Sequence, residues 1–446
     1  MEAPGKRKRG NDAGDAAAGY SSGDDRDRLS ALPDSLIHHI MSFMKARQVV
    51  QTCVLSTRWR HLWRSMTCLD VDKSEFETPG AKKYLDYEGW EKFEDFMDTL
   101  LSPGNVSIAS LDTLRLQASY GIGEGRPASR WIRRGIKYPH GQLPAAGVHR
   151  GKVVSYNSWR LRRLHLSNIE LCDLFAEHVR TSCQSLEDLE LGSCSCKFHA
   201  IASGSLKNLA LKYCTLYGLD EIATPTLKNL LIESGTGTNL KTMDRPLVIT
   251  APALASMFLG VTPHNFVGGL SLSEMTSLAK VSVHLSCKEI VDPFKILGSC
   301  VSSVITNLEV SSVSQTMVLG EGSTTFIQFN NLRTLVLSHC DLSDDFQILG
   351  HFLRNSPNLE RLTLLYCKYS NDTKKKKGPS KSKNAEYTPC PNLVDVPCKN
   401  LKLTHIIYKE DDIRQLIELL LHISGNLPNN YIKLTKARLW PSAIVI

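Results

Sequence analysis

Leu161-Arg162-Arg163-Leu164-His165-Leu166, Leu186-Glu187-Asp188-Leu189-Glu190-Leu191 and Leu206-Lys207-Asn208-Leu209-Ala210-Leu211 share one spacing: an apolar residue, two others, an apolar residue, one other, and a third apolar residue. Side chains of a strand alternate between its faces, so the second and third apolar residues of each copy point the same way. The first packs where the chain enters the strand. The same spacing recurs at Leu111/Leu114/Leu116, Leu227/Leu230/Ile232, Leu254/Met257/Leu259, Leu278/Val281/Val283, Ile305/Leu308/Val310, Leu332/Leu335/Leu337 and Leu359/Leu362/Leu364. A weaker copy stands at Cys398/Leu401/Leu403.

From residue 161 to 359, successive copies start 25, 20, 21, 27, 24, 27, 27 and 27 residues apart. Such periods belong to stacked units that cannot cover their own apolar faces, so three or more must assemble. Spacing and period resemble leucine-rich repeats, in particular those that follow an F-box in one large receptor class. The resemblance implies an α/β repeat fold: an irregular leucine-rich-repeat solenoid over 104–409 with a C-terminal cap. The two long intervals require insertions at about 118–157 and 370–390, the second a flexible loop around Gly378-Pro379-Ser380. Cys194, Cys214, Cys340 and Cys367 each fall just past a strand, where a small, weakly polar side chain can turn inward and satisfy backbone groups. Packing of this kind accounts for many of the 13 cysteines without invoking any chemistry.

Ahead of the array, Leu29 to Asp70 reads as a small all-α bundle. Pro33 suits the first turn of a helix, and apolar residues at 36, 37, 40, 41, 43 and 44 keep helical spacing. Gln48 to Leu55 and Thr57 to Trp63 offer two further short helices, with Ser56 as a cap for the last. A unit of roughly forty residues rarely buries enough surface to be stable alone. Its wide apolar stripe therefore predicts a surface completed by another polypeptide. Leu32-Pro33-Asp34-Ser35-Leu36, Thr52-Cys53-Val54-Leu55-Ser56 and Arg58-Trp59-Arg60-His61-Leu62-Trp63 resemble the F-box motif in order and spacing, in the form common in plant families. That resemblance implies docking onto a Skp-family adaptor and, through it, onto a cullin in an SCF-type ubiquitin ligase. The adaptor-binding residues it implies are Leu32, Pro33, Leu36, Ile37, Ile40, Leu55, Trp59, Leu62 and Trp63.

Residues 1–28, rich in Gly, Ala, Ser and Asp, read as a disordered tail. Over 71–103, a connecting helical segment is expected from Trp90, Phe93, Phe96, Met97 and Leu100, stopped by Ser102-Pro103-Gly104. In 410–446, Ile413, Leu416, Ile417, Leu420 and Ile423 predict an amphipathic helix ended by Gly425, and Tyr431 to Trp440 a closing strand. This last segment faintly resembles the small FBD domain found beside plant F-box repeats, which implies a cap over the open end of the array.

The net charge of +8 is unevenly placed. Arg126 to Arg163 holds ten Lys or Arg and no Asp or Glu, and Lys374 to Lys383 holds six Lys. The remainder is mildly acidic, unlike a uniformly basic nucleic-acid binder. Within the first stretch Trp131, Tyr138, Tyr156 and Trp159 interleave with Arg130, Arg133, Arg134, Lys137, Arg160, Arg162 and Arg163. Cations for phosphates and aromatic faces for stacking make this a candidate polyanion site, against the plainer reading of a solvated insertion.

Nothing suggests an enzyme. Cys194-Ser195-Cys196, near Cys183 and His199, is too tight for a zinc knuckle and has no matching pair. Gly121-Ile122-Gly123-Glu124-Gly125 lacks the phosphate-loop spacing, and neither a serine elbow nor H-E-x-x-H occurs. No cofactor, metal or membrane partner is expected. An odd number of free thiols, no apolar signal region and Lys6-Arg7-Lys8-Arg9 together predict a nuclear or cytoplasmic protein. The expected function is that of a non-catalytic substrate-recognition subunit that captures a target protein. The rival readings are a non-ligase interaction scaffold and a nucleic-acid- or polyphosphate-associated repeat protein using 126–163.

Overall fold

In the computed structural model the described residues are 29, 31–81, 86–102, 105–106, 111–118, 160–233, 246–261, 270–273, 275–285, 305–311, 328–342, 346–369, 399–408, 417 and 430–436. The expected tail, the insertions and all but Ile417 of the expected C-terminal helix lie outside them.

Helix α1 (Asp34–Met41) begins directly after Pro33, whose φ of −58° suits helix entry. Its apolar residues form two stripes. Ile37 and Met41, one turn apart, are buried, whereas Leu36 and Ile40, also one turn apart, are exposed. Helix α2 (Ala46–Gln51) runs into a 3₁₀ turn over Thr52–Val54. Helix α3 (Trp59–Leu62) continues as a 3₁₀ turn over Trp63–Ser65. Ser56 Oγ accepts the Trp59 N–H at 3.4 Å, as its capping position suggests. Met41, Ala46, Val49, Trp59 and Trp63 join Ile37 in the core. Ile37, Trp59 and Trp63, expected at the adaptor surface, are thus interior residues. A bundle this short has few large side chains with which to fill its centre.

The chain then enters β1 (Cys68–Asp72), the first strand of a thirteen-stranded sheet. It is followed by β2 (Thr113–Gln117), β3 (Arg163–Ser167), β5 (Asp188–Gly192), β8 (Asn208–Lys212), β11 (Asn229–Glu233) and β13 (Ser256–Val261). The order continues through β15 (Lys280–Leu285), β16 (Asn307–Ser311), β17 (Thr334–Ser338), β18 (Arg361–Leu365), β19 (Leu403–Tyr408) and β20 (Tyr431–Lys436). Every neighbouring pair is parallel. Residues of one kind therefore line up across the sheet: Leu164, Leu189, Leu209, Leu230, Met257, Val281, Leu308, Leu335 and Leu362 share one buried row. Two smaller parallel sheets keep the same serial order. One joins β4 (Glu170–Cys172), β6 (Ser195–Lys197) and β9 (Thr215–Leu216). The other joins β7 (Ala200–Ala202), β10 (Glu221–Ala223), β12 (Leu247–Thr250) and β14 (Leu270–Ser273). A small helical module thus precedes a strand-rich, repeat-like region.

The register corrects two readings of the spacing. Met66, Leu69 and Val71 form a further copy, all three buried, which the adjoining helical motif masks in the sequence. At the other end Leu362 aligns with Thr404 and Leu364 with Ile406, so the last copy is Leu401/Thr404/Ile406 rather than Cys398/Leu401/Leu403. A buried Thr takes the place of a Leu there, and Leu403 faces outward.

Each turn past a strand uses one device. Asn168, Ser193, Tyr213, His339 and Tyr366 adopt positive φ, between 49° and 59°. A left-handed residue other than glycine costs roughly 1–2 kcal/mol. The cost is offset because its N–H then reaches the end of the next strand: Ser193 N–H donates to Lys212 O at 2.7 Å and Tyr366 N–H to Ile407 O at 2.8 Å. The cysteine that follows turns inward and donates to the preceding copy. Cys194 Sγ lies 3.4 Å from Leu166 O, Cys214 3.2 Å from Leu191 O, Cys340 3.6 Å from Val310 O and Cys367 3.3 Å from Leu337 O.

Between β1 and β2, helix α4 (Tyr87–Leu100) buries Trp90, Phe93, Met97 and Leu100. Phe93 meets Phe76 edge-on with ring centroids 5.5 Å apart. The helical module reaches the same joint: Lys45 bridges Asp70 at 2.9 Å and Asp72 at 3.5 Å, and the Arg47 guanidinium lies 4.8 Å over the Phe76 ring.

Candidate docking surfaces

Two surfaces stand out, one on the helical module and one on the large sheet. On the module, Leu36 is 48% exposed, Ile40 39%, Phe43 79%, Val54 83% and Leu55 59%. Among the residues expected to dock, Leu32 and Leu62 are half-buried and Pro33 is exposed. Exposed large apolar side chains at this density on so small a unit mark an interaction surface. Covering them yields about 25 cal/mol per Å² of apolar area removed from water. The module holds its shape without them: Arg58 pairs with Asp34 across the bundle, and a His38 ring nitrogen meets Leu62 O at 3.1 Å. Phe43 and Val54 join the surface although the motif comparison does not single them out. Their exposure follows from the turn geometry, which spacing alone does not reveal.

The second surface is the outward face of the sheet, built from the residues that alternate with the buried leucines. Its first strands carry a charged ladder. Arg115 lies 3.8 Å from Asp70, Arg163 3.3 Å from Asp188 and Lys212 2.7 Å from Glu190. His165 is 3.8 Å from Glu190. Partial burial outweighs the carboxylate and lowers the His165 pKa, so the ring is neutral at pH 7. The ladder continues as amides, with Asn208 donating to Asp188 and Asn229 Nδ2 donating to Asn208 Oδ1 at 2.7 Å. Then it turns apolar: Ala210, Leu231 and Phe258 occupy the middle outward positions of β8, β11 and β13. They form the floor of a cavity of about 470 Å³ that Arg163, Asp188, Glu190 and Ser256 also line.

Adjoining it through Arg163 is a second cavity of about 680 Å³, lined by Asp112, Thr113, Arg160, Arg162, Arg163 and Ser185. Arg160 lies 3.6 Å from Asp112. Of the candidate polyanion residues, Arg160, Arg162 and Arg163 thus come together at the start of β2 and β3. Arg130, Arg133, Arg134 and Lys137 lie outside the described residues.

Cys183, Cys194 and Cys196 are fully buried, whereas His199 is exposed and lies 3.4 Å from Asp173. Among the described residues no three His, Cys, Asp or Glu are placed to hold a metal ion. Nor is any described helix long and apolar enough to cross a membrane.

Comparison with known proteins agrees with the module's geometry. The F-box domain family matches residues 29–70. The meiotic F-box protein MOF of Oryza sativa subsp. japonica is 29% identical over 417 residues, spanning 85% of this chain and 80% of that protein. A putative F-box/FBD/LRR-repeat protein of Arabidopsis thaliana is 27% identical over 76% of this chain and 79% of its own length. An FBD-associated F-box protein of the same plant is 25% identical over 76% and 77%. The chain carries an F-box domain, and its homologues over most of its length are plant F-box/LRR and F-box/FBD/LRR-repeat proteins.

Proposed function

We propose that this F-box protein is the substrate-recognition subunit of an SCF-type cullin–RING ubiquitin ligase. The F-box grips a Skp-family adaptor, which links it to a cullin. The repeat region, a leucine-rich-repeat solenoid in this reading, holds a target protein on the outward face of its sheet. Residues 410–446 serve as an FBD-like cap, a reading supported by the FBD-bearing relatives. The chain performs no chemistry itself. It raises the effective concentration of the target's lysines near a ubiquitin-charged enzyme in the nucleus or cytoplasm.

The observation that carries this reading is the split of α1 into two stripes, with Ile37 and Met41 sealed inside while Leu36 and Ile40 face water. The outward stripe, with Pro33, Phe43, Val54 and Leu55, is the surface the adaptor would cover. Co-expression with a plant Skp homologue followed by gel filtration tests it. One co-eluting peak is expected, and separate elution of two folded proteins refutes the proposal.

A further inference from the structure

We infer that the sheet face reads a phosphorylated segment of its target. The phosphoryl group sits with Arg160, Arg162 and Arg163, and an apolar side chain of the same segment rests on Leu231 and Phe258. This builds on the reading of that face as the target-binding surface.

The donors in the basic groove point to the ligand. Arg160 and Arg163 each have a carboxylate, Asp112 and Asp188. Arg162 is exposed and forms no ion pair among the described residues, and the Thr113 and Ser185 hydroxyls have no hydrogen-bond partner there. Three guanidinia, one of them without a carboxylate among the described residues, and two hydroxyls thus converge on a cavity short of acceptors. A phosphoryl group supplies three acceptor oxygens and up to two negative charges, and a guanidinium can engage it through two parallel N–H bonds. A phosphorylated side chain meeting an arginine cluster is a recurrent recognition mode.

Charge and surroundings favour one phosphoryl group over a polynucleotide. Asp188 and Glu190 stand beside the groove on the path toward the apolar floor, where they repel a second phosphate. No aromatic residue lines the basic groove among the described residues, so a base has no stacking platform.

The sheet order sets a length. From β3 the floor lies three strands away at β11 and four at β13. With strands about 4.8 Å apart, that is roughly 14–19 Å. An extended peptide advances about 3.3–3.6 Å per residue, so roughly four to six residues separate the phosphorylated position from the apolar one.

The test uses the full chain and a library of short synthetic peptides. Each carries one phosphoserine and one leucine or phenylalanine at a spacing varied from about two to nine residues, beside its unphosphorylated twin. Fluorescence anisotropy should show members spaced four to six residues apart binding at least about tenfold tighter than their twins. Arg162→Ala should erase the preference for phosphate, and Arg162→Lys should retain part of it. Leu231→Asp should erase the spacing preference while leaving the phosphate preference. Equal binding of all twins overturns the inference, as does an undiminished preference in Arg162→Ala. Tighter binding of a single-stranded RNA oligomer than of any phosphopeptide would assign the groove to polyanions instead. Adaptor co-elution, measured on the same variants, separates the two proposals. Its loss with phosphate preference intact sinks the ligase reading alone, and the reverse sinks only this one.

Discussion

Lys73 Nζ lies 2.8 Å from Asp86 Oδ2, and both side chains are only 3% exposed. The pair ties the turn after β1 to the first turn of α4, where the Asp86 carboxylate also accepts the Gly89 N–H at 3.0 Å and the Thr78 N–H at 3.2 Å. The Lys73 hydrogen bond, followed by those from Thr78 and Gly89, holds the Asp86 carboxyl well below the usual carboxylate range. This is the joint through which the F-box meets the sheet, so its rigidity sets where a docked adaptor stands relative to a docked target. A buried pair hydrogen-bonded on both carboxylate oxygens favours one geometry over stability as such.

Gly89 is the weak point of that joint. A Cβ there would stand 2.1 Å from Asp86 Oδ2 and 2.4 Å from the Phe76 carbonyl oxygen. Backbone must move to admit it. Gly89→Ala should lower stability by about 3 kcal/mol, at the upper end for overpacking. A urea melt reads the effect as a lower midpoint at unchanged slope. An unshifted midpoint would refute the close approach.

Stability should fall with acid in two steps. Burial lowers the His178 pKa to about 4, against roughly 6.5 in the unfolded chain. The unfolded chain therefore takes up this proton first, so the stabilisation is complete above about pH 6.5 and drains away toward pH 4. About 2 kcal/mol of the loss between pH 7 and 4.5 should vanish in His178→Gln. Asp86 acts lower. Its depressed pKa contributes stability above about pH 4 that is lost as the pH drops further. Denaturant melts across pH, on the wild type and on the His178→Gln and Asp86→Asn variants, read these slopes. Parallel curves for His178→Gln and wild type would contradict the first step.

The two stripes of α1 should separate binding from folding. Leu36→Asp changes an exposed position and should alter stability by no more than about 0.5 kcal/mol, yet abolish co-elution with the adaptor. Ile37→Ala empties a core position and should cost about 3 kcal/mol, with adaptor binding retained by whatever remains folded. A reversed pattern would mean that the inward stripe docks.

Thiol chemistry should follow burial. Cys172 is exposed, whereas Cys183, Cys194, Cys196, Cys214, Cys340 and Cys367 are buried. Burial pushes the Cys183 thiol up to about 12, and the hydrogen bond with Cys214 together with burial pushes the Cys194 thiol well up. Thiolate is the reactive form, so both resist alkylation at pH 8. Mass spectrometry after brief maleimide treatment should find Cys172 modified and these six spared until urea is added. Rapid native labelling of Cys194 would overturn this account of the turns.

Much of the architecture was legible because its signals are local. Leu189 and Leu191 alternate around Glu190, and the spacing repeats whether or not a neighbouring copy has been found. The positions of Cys194, Cys214, Cys340 and Cys367 after their strands were readable for the same reason, and each donates back to the preceding copy. The copies at Met66 and Thr404 were not. One hides behind a helical motif, and in the other a threonine breaks the pattern that only the ladder with β18 restores.

Sequence alone determined that α1 is apolar on more than one side and that short strands recur. It could not say that Ile37, Trp59 and Trp63 turn inward while Leu36 and Ile40 stay wet, because helical period fixes which residues share a stripe, not which stripe meets the rest of the chain. Nor could it place Arg162 beside Ser185, or Leu231 beside Phe258, at separations of more than twenty residues. Those neighbours are made by parallel pairing between copies, a non-local arrangement that only the folded sheet supplies.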